Sequence, residues 1–97
     1  MKYILTLILT LAVFLPSHAK PEKEVSCRAC HGVSGASPVA PNYPKLNGQN
    51  KAYLISSLKA YRDGQRTGGI AVVMSTQAVK LSDADIEELA DYYSAQQ

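Results

Sequence analysis

Cys27-Arg28-Ala29-Cys30-His31-Gly32 carries both cysteines of a 97-residue chain and one of its two histidines. The spacing C-x-x-C-H reads as an attachment site for c-type haem. Two thiols can add to the two vinyl groups of the macrocycle as thioethers, and the adjacent imidazole can then coordinate iron. On a helix, Cys27 and Cys30 are i and i+3, and Cys27 and His31 are i and i+4. All three side chains then project from one face, as holding one flat macrocycle by its edge and one side requires.

Other uses of the stretch fit less well. A thioredoxin-like dithiol needs a βαβ context, and no strand pattern surrounds these cysteines. A structural zinc site needs four ligands, and this chain offers two Cys and one usable His. A disulfide between positions three apart closes a tiny loop and would staple little.

Working outward toward the amino end, Met1 and Lys2 give a minimal positive start. Tyr3 to Leu15 is apolar apart from Thr6 and Thr10, and Pro16 ends the run. Ser17-His18-Ala19 places small residues where a signal peptidase cuts. The run is short of the roughly 20 residues that a spanning helix needs. Residues 1–19 are therefore expected to be a signal peptide cleaved after Ala19, leaving one domain over 20–97. A domain of that size has a marginal core and gains from a metal, a disulfide or another staple. Residues 20–97 hold no Trp and no Phe, and their aromatics are Tyr43, Tyr53, Tyr61, Tyr92 and Tyr93. A large apolar cofactor would supply what that composition lacks.

The net charge is +2 for the full chain. No Lys/Arg run is dense enough to suggest nucleic acid. Balanced charge says little else about partners.

Three helices are expected, joined by two long loops. The first runs from about Pro21 into Cys30, with Glu22 and Glu24 in its first turn. Gly32 to Asn50 is broken by Pro38, Pro41 and Pro44 and reads as an ordered loop. Asn50 is an N-cap candidate for a helix from about Lys51 to Asp63, on which Leu54, Leu58 and Tyr61 share a face and Gly64 is the stop. Gln65 to Leu81 reads as a second loop, with Ile70-Ala71-Val72-Val73-Met74 as an extended apolar segment packed on something apolar. Ser82-Asp83-Ala84-Asp85 opens the last helix, from about Asp83 to Ala95, with a capping box. Ile86, Leu89, Ala90 and Tyr93 form its apolar stripe. The fold class is all-α.

Haem iron has two axial positions, and His31 would take one. Met74 is the only methionine after the leader and the candidate for the other. The alternative for Met74 is plain core packing. His/Met ligation closes both faces of the iron and raises the reduction potential. A closed iron passes one electron with little rearrangement and does not readily bind oxygen or peroxide. A displaceable Met74 would instead allow a haem sensor or a peroxidase-like module.

At this point the sequence resembles the small bacterial monohaem class I cytochromes c, and the single-haem halves of dihaem periplasmic cytochromes c. The likeness covers essentially all of 20–97. It rests on the Cys27–Gly32 motif, on Tyr43-Pro44-Lys45-Leu46-Asn47-Gly48-Gln49, and on Tyr53-Leu54. It continues through Leu58-Lys59-Ala60-Tyr61-Arg62-Asp63-Gly64-Gln65-Arg66, Met74, and Leu81 to Ile86 with Leu89 to Tyr93. The resemblance implies one covalent haem c per chain. It also implies a class I fold around that haem and a periplasmic electron carrier rather than an enzyme. Docking on redox donors and acceptors would be transient, by a monomer with no stable membrane insertion after cleavage; a fixed electron-transfer subunit is the other form such a chain takes. It implies further that the Pro44 carbonyl accepts a hydrogen bond from the ligating His31, and that Leu89 and Tyr92 lie where the last helix crosses the first. Arg66 sits where a propionate partner would be convenient, or is a solvated loop cation. Only seven residues, Lys20 to Ser26, precede Cys27, so the first helix is shorter than the family's usual one.

Overall fold

In the computed structural model, residues 3–10 and 19–97 are described. The expected cleavage site at 17–19 lies largely outside them. Residues 3–10 are exposed and form no regular structure, and 24–94 hold four α-helices and one 3-10 turn. No strand occurs among the described residues, in keeping with the all-α expectation.

Helix α1 is Glu24–His31. It starts later than expected, because Pro21 does not open the helix. Its carbonyl instead closes a turn by accepting from the Glu24 N–H at 3.0 Å. The helix extends one residue past Cys30 and so takes His31 onto the cysteine face. Gly32 ends it at φ 83°, with its N–H on the Arg28 carbonyl at 2.9 Å. Only glycine suits this position: the φ is left-handed, and a Cβ would overlap the backbone of Ser37.

The loop that follows is ordered by its own backbone. A 3-10 turn, Val33–Gly35, begins it. The Gly35 carbonyl then accepts from Leu46 at 2.9 Å and Asn47 at 3.3 Å, and Val39 N–H reaches the Cys30 carbonyl at 3.0 Å. Gly48 N–H donates to the Tyr93 carbonyl at 2.9 Å, which ties the loop to the last helix.

Helix α2 is Lys51–Arg62, capped by the Asn50 side chain on the Tyr53 N–H at 3.0 Å. Helix α4 is Asp83–Ser94. Its capping box is complete: Ser82 Oγ accepts from Asp85 N–H, and Asp85 Oδ2 accepts from Ser82 N–H, both at 3.0 Å. Both helices lie within a residue of where their caps and apolar periods put them. They pack antiparallel, and the ion pairs at each end show it. Lys51 at the start of α2 meets Glu87 at 3.5 Å and Asp91 at 3.6 Å on α4, and Arg62 at the end of α2 meets Asp83 at 2.7 Å. Such exposed pairs add little stability, but they record the direction.

The segment from Gln65 to Leu81 differs from the expected loop. Ala71–Ala78 is a helix, α3, packed against α2. Ile70-Ala71-Val72-Val73-Met74 has no polar residue to mark a period, so local pattern cannot tell a strand from a helix there. Ser75-Thr76-Gln77-Ala78 decides it by continuing the hydrogen-bonded ladder, and Thr76 Oγ1 bonds back to the Val72 carbonyl at 2.8 Å. Gly68 and Gly69, both at positive φ, form the turn that starts α3, with the Ala71 N–H on the Gly68 carbonyl.

The core joins Leu54 of α2 to Leu89, Ala90, Tyr92 and Tyr93 of α4, with Cys27, Leu46, Ile55, Leu58 and Leu81 packed around them. Each fully buried leucine contributes about 1.5–3 kcal/mol, and the described residues hold few of them. Among these residues no helix is long and apolar enough to cross a membrane.

Candidate functional site

One cleft, of about 990 Å³, runs between α1, the first loop, α2 and α3. That volume is at the upper end of the roughly 300–1,000 Å³ of small-molecule sites. Cys27, Cys30, His31, Pro44 and Met74 all line it. The structure thus brings together every residue that the sequence singles out for haem.

Helix α1 presents the first three. Cys27 and Cys30 are half-buried free thiols. Burial pushes the Cys27 thiol up to about 11; the Tyr93 hydroxyl partly offsets this, and the charge of Glu24 adds to it. His31 is buried. Its Nδ1 lies 2.7 Å from the Pro44 carbonyl oxygen. A carbonyl only accepts, so Nδ1 carries the hydrogen and Nε2 keeps its lone pair for a metal. Tyr43 sets its ring edge-on to the imidazole, with centroids 6.3 Å apart. The imidazole is therefore oriented by a backbone acceptor and an aromatic neighbour, the support that a metal-ligating histidine needs.

Met74 comes from the opposite part of the chain and is half-buried on α3 rather than on the expected loop. Ile70 (46 %), just before that helix, and Val73 (36 %) on it are exposed, as is Tyr53 (52 %) on α2, all three lining the cleft. Large apolar side chains left open along one cleft call for an apolar occupant. A haem fits this donor set: two thiols on one helix face, an imidazole with a free nitrogen, a thioether, and apolar walls. Among the described residues no group of three or more His, Cys, Asp and Glu could hold a bare metal ion.

Arg66 also lines the cleft, and its guanidinium lies 4.6 Å from the Tyr61 ring centroid. That cation–π contact keeps Arg66, still exposed to solvent, at the cleft margin, a position compatible with either a propionate partner or a solvated cation.

Two residues at the site went unassigned in the sequence. Tyr93 reads as plain core, yet its hydroxyl is buried beside Cys27, near enough to favour the thiolate but with no partner at hydrogen-bonding geometry. Burial, then the nearby Cys27 and Glu24, hold that phenol above its usual range. Glu24 reads only as a first-turn carboxylate, and it is almost wholly buried. Only its i, i+3 spacing from Cys27 could have marked it.

The family model for cytochrome c matches residues 23–95. Cytochrome c-554(548) of Halomonas halodenitrificans is 53 % identical over 79 residues, covering 81 % of this chain and 94 % of that protein. Cytochrome c4 of Pseudomonas aeruginosa is 38 % identical over 101 residues, covering 98 % of this chain but 48 % of its own length. The chain thus spans about half of that relative. A thiosulfate dehydrogenase electron acceptor of Thiomonas intermedia is 39 % identical over 71 residues, covering 73 % of this chain and 32 % of that protein. Among solved structures, cytochrome c4 of Acidithiobacillus ferrooxidans superposes with a TM-score of 0.71 at 39 % identity, over 75 % of this chain and 43 % of that one.

Proposed function

The chain belongs to the cytochrome c family, and from that premise we propose that it is a periplasmic one-electron carrier whose haem iron is ligated by His31 and Met74. Membership makes haem c the cofactor, attached through Cys27 and Cys30, and makes haem-based electron transfer to redox partners the activity. When bound, the haem supplies a reversible one-electron change at iron.

The chain's own residues have three tasks in this reading. Cys27 and Cys30 fix the cofactor to α1. His31, turned by Pro44 and Tyr43, offers Nε2. Met74, from α3, offers a thioether, a soft ligand that raises the potential. The apolar side chains of α2 and α3 exclude water from the cleft. The observation that carries the reading is the meeting of His31 and Met74 in one cleft with both cysteines. His31 is the only histidine lining that cleft among the described residues, so a sensor or peroxidase-like role, which would need a displaceable Met74, lacks a second imidazole to assist it. Residues 1–19 act as the export signal and are removed after Ala19.

The test is a redox titration with visible spectra and CO addition to the reduced protein. A thioether-ligated ferric spectrum with no rapid CO binding supports the carrier. Rapid, complete CO binding favours the displaceable-ligand reading. The relative named as a thiosulfate dehydrogenase electron acceptor favours a second form, a carrier dedicated to one oxidoreductase; co-purification with a single enzyme would distinguish it from freely docking protein.

A further inference from the structure

Glu24, the first residue of α1, is 1 % exposed. A carboxylate at that depth is costly unless something compensates it. Its Oε1 has no hydrogen-bond partner. Arg28, one turn further on, brings Nε to 3.7 Å of that oxygen, close enough for an ion pair and too far for a hydrogen bond. The pair is lopsided: the arginine side chain is 38 % exposed, and the glutamate side chain 2 %. Water and salt screen the cation, and they reach the anion poorly. The amide dipoles at the start of α1 give the carboxylate a second partial compensation.

The charged and titratable groups that face Glu24 are Arg28 and Cys27 on its own helix and Tyr93 on α4. Lys23, its neighbour in sequence, is exposed, and its charge also acts on Asp85 in the first turn of α4. Glu24 is not part of the cleft wall, but Cys27 and Tyr93 are. The negative charge therefore stands directly behind the wall to which the cofactor is bonded. Both wall residues register it, since it contributes to the upward displacement of the Cys27 thiol and the Tyr93 phenol.

We propose that Glu24 is a potential-setting residue: its buried carboxylate, one turn from Cys27, favours the more positive oxidised state of the cofactor and lowers the reduction potential. The inference rests on the haem-binding reading above. Arg28 opposes the effect, but only weakly, because its charge is solvated. The outcome is a carrier whose potential lies below what His31 and Met74 alone would give, tuned by a side chain that touches neither ligand.

The experiment compares the full holoprotein with Glu24→Gln, which keeps shape and removes charge, and with Glu24→Asp, which keeps charge. Covalent haem is first read on a denaturing gel, and midpoint potentials are then measured at pH 7 in low and high salt. Glu24→Gln is expected to keep the haem and the visible spectrum and to raise the equilibrium constant for reduction several-fold or more, in low and high salt alike. Glu24→Asp should stay near the parent. Arg28→Gln should shift the constant the opposite way, by less, and only in low salt. A reduction constant for Glu24→Gln within twofold of the parent overturns the proposal. If that variant does not fold, an unchanged potential for Arg28→Gln in low salt overturns it instead. A parent protein without covalent haem would overturn the functional reading and this inference with it, whereas haem present with an unmoved potential removes this inference alone.

Discussion

His31 Nδ1 and the Pro44 carbonyl oxygen are 2.7 Å apart, across a loop of 12 intervening residues. The acceptor is a backbone atom, so no side-chain replacement at 44 deletes it. Pro44→Ala is therefore expected to keep the bond and to cost only about 0.4–1 kcal/mol, through the greater freedom of the unfolded loop. Thermal melts of the parent and variant check the magnitude. A much larger loss would show that the pyrrolidine ring itself holds His31 in place.

Met74 is expected to be the second axial ligand. Met74→Ala should lose the spectral signature of thioether-bound ferric iron, lower the midpoint potential, and bind CO rapidly when reduced. An unchanged spectrum and unchanged melting temperature would remove Met74 from the iron and leave it as packing on α3.

The capping box at the start of α4 should carry measurable stability. Ser82→Ala is expected to cost about 1 kcal/mol, within the 0.5–2 kcal/mol usual for a lost N-cap, as read from urea unfolding.

Acid sensitivity should arise at the same place. The hydrogen bonds of Ser82 hold the Asp85 carboxyl below its usual range, and Arg62 does the same for Asp83. A folded-state value below the unfolded one means stability that is fully present above the unfolded pKa of about 3.9 and is lost as pH falls through the folded value. The melting temperature should therefore drop below about pH 4. Asp83→Asn and Asp85→Asn should each flatten that slope, and a slope unaltered in both variants would place the acid-sensitive groups elsewhere.

Leu89 is 1 % exposed at the centre of the core. Leu89→Ala is expected to cost about 2–5 kcal/mol, measured by denaturant unfolding of the holoprotein. In so small a core that loss should also raise the population of chains open at the α2–α4 contact.

Much of this architecture was legible because the signals were local. Asn50 and Ser82 each announce a helix start by their own chemistry, and the period of Leu54 and Leu58, or of Ile86, Leu89 and Ala90, announces a face. Helix α3 was not legible, because Ile70 to Met74 is apolar on every side; it stands between a helix and a cofactor cleft, and both demands write the same residue types. The burial of Glu24 was not legible for a different reason. A glutamate in a first turn is ordinarily solvated, and its proximity to Tyr93 on α4 depends on how elements far apart in sequence come together. At the site, the covalent anchors and the candidate ligands were visible as residue types and spacings. The orientation of His31 by Tyr43 was not, since an edge-on contact depends on where the loop returns.

The Gly48–Tyr93 bond has a consequence for assembly. It fastens the loop that presents Pro44 to a carbonyl on the last turn of α4. Joining positions so far apart in sequence is opposed by chain entropy, and one hydrogen bond offsets only part of that cost. The rim of the cleft that presents Pro44 is therefore only as firm as the seat of the last helix, and loosening the carboxyl end of the protein would loosen the acceptor that steers His31.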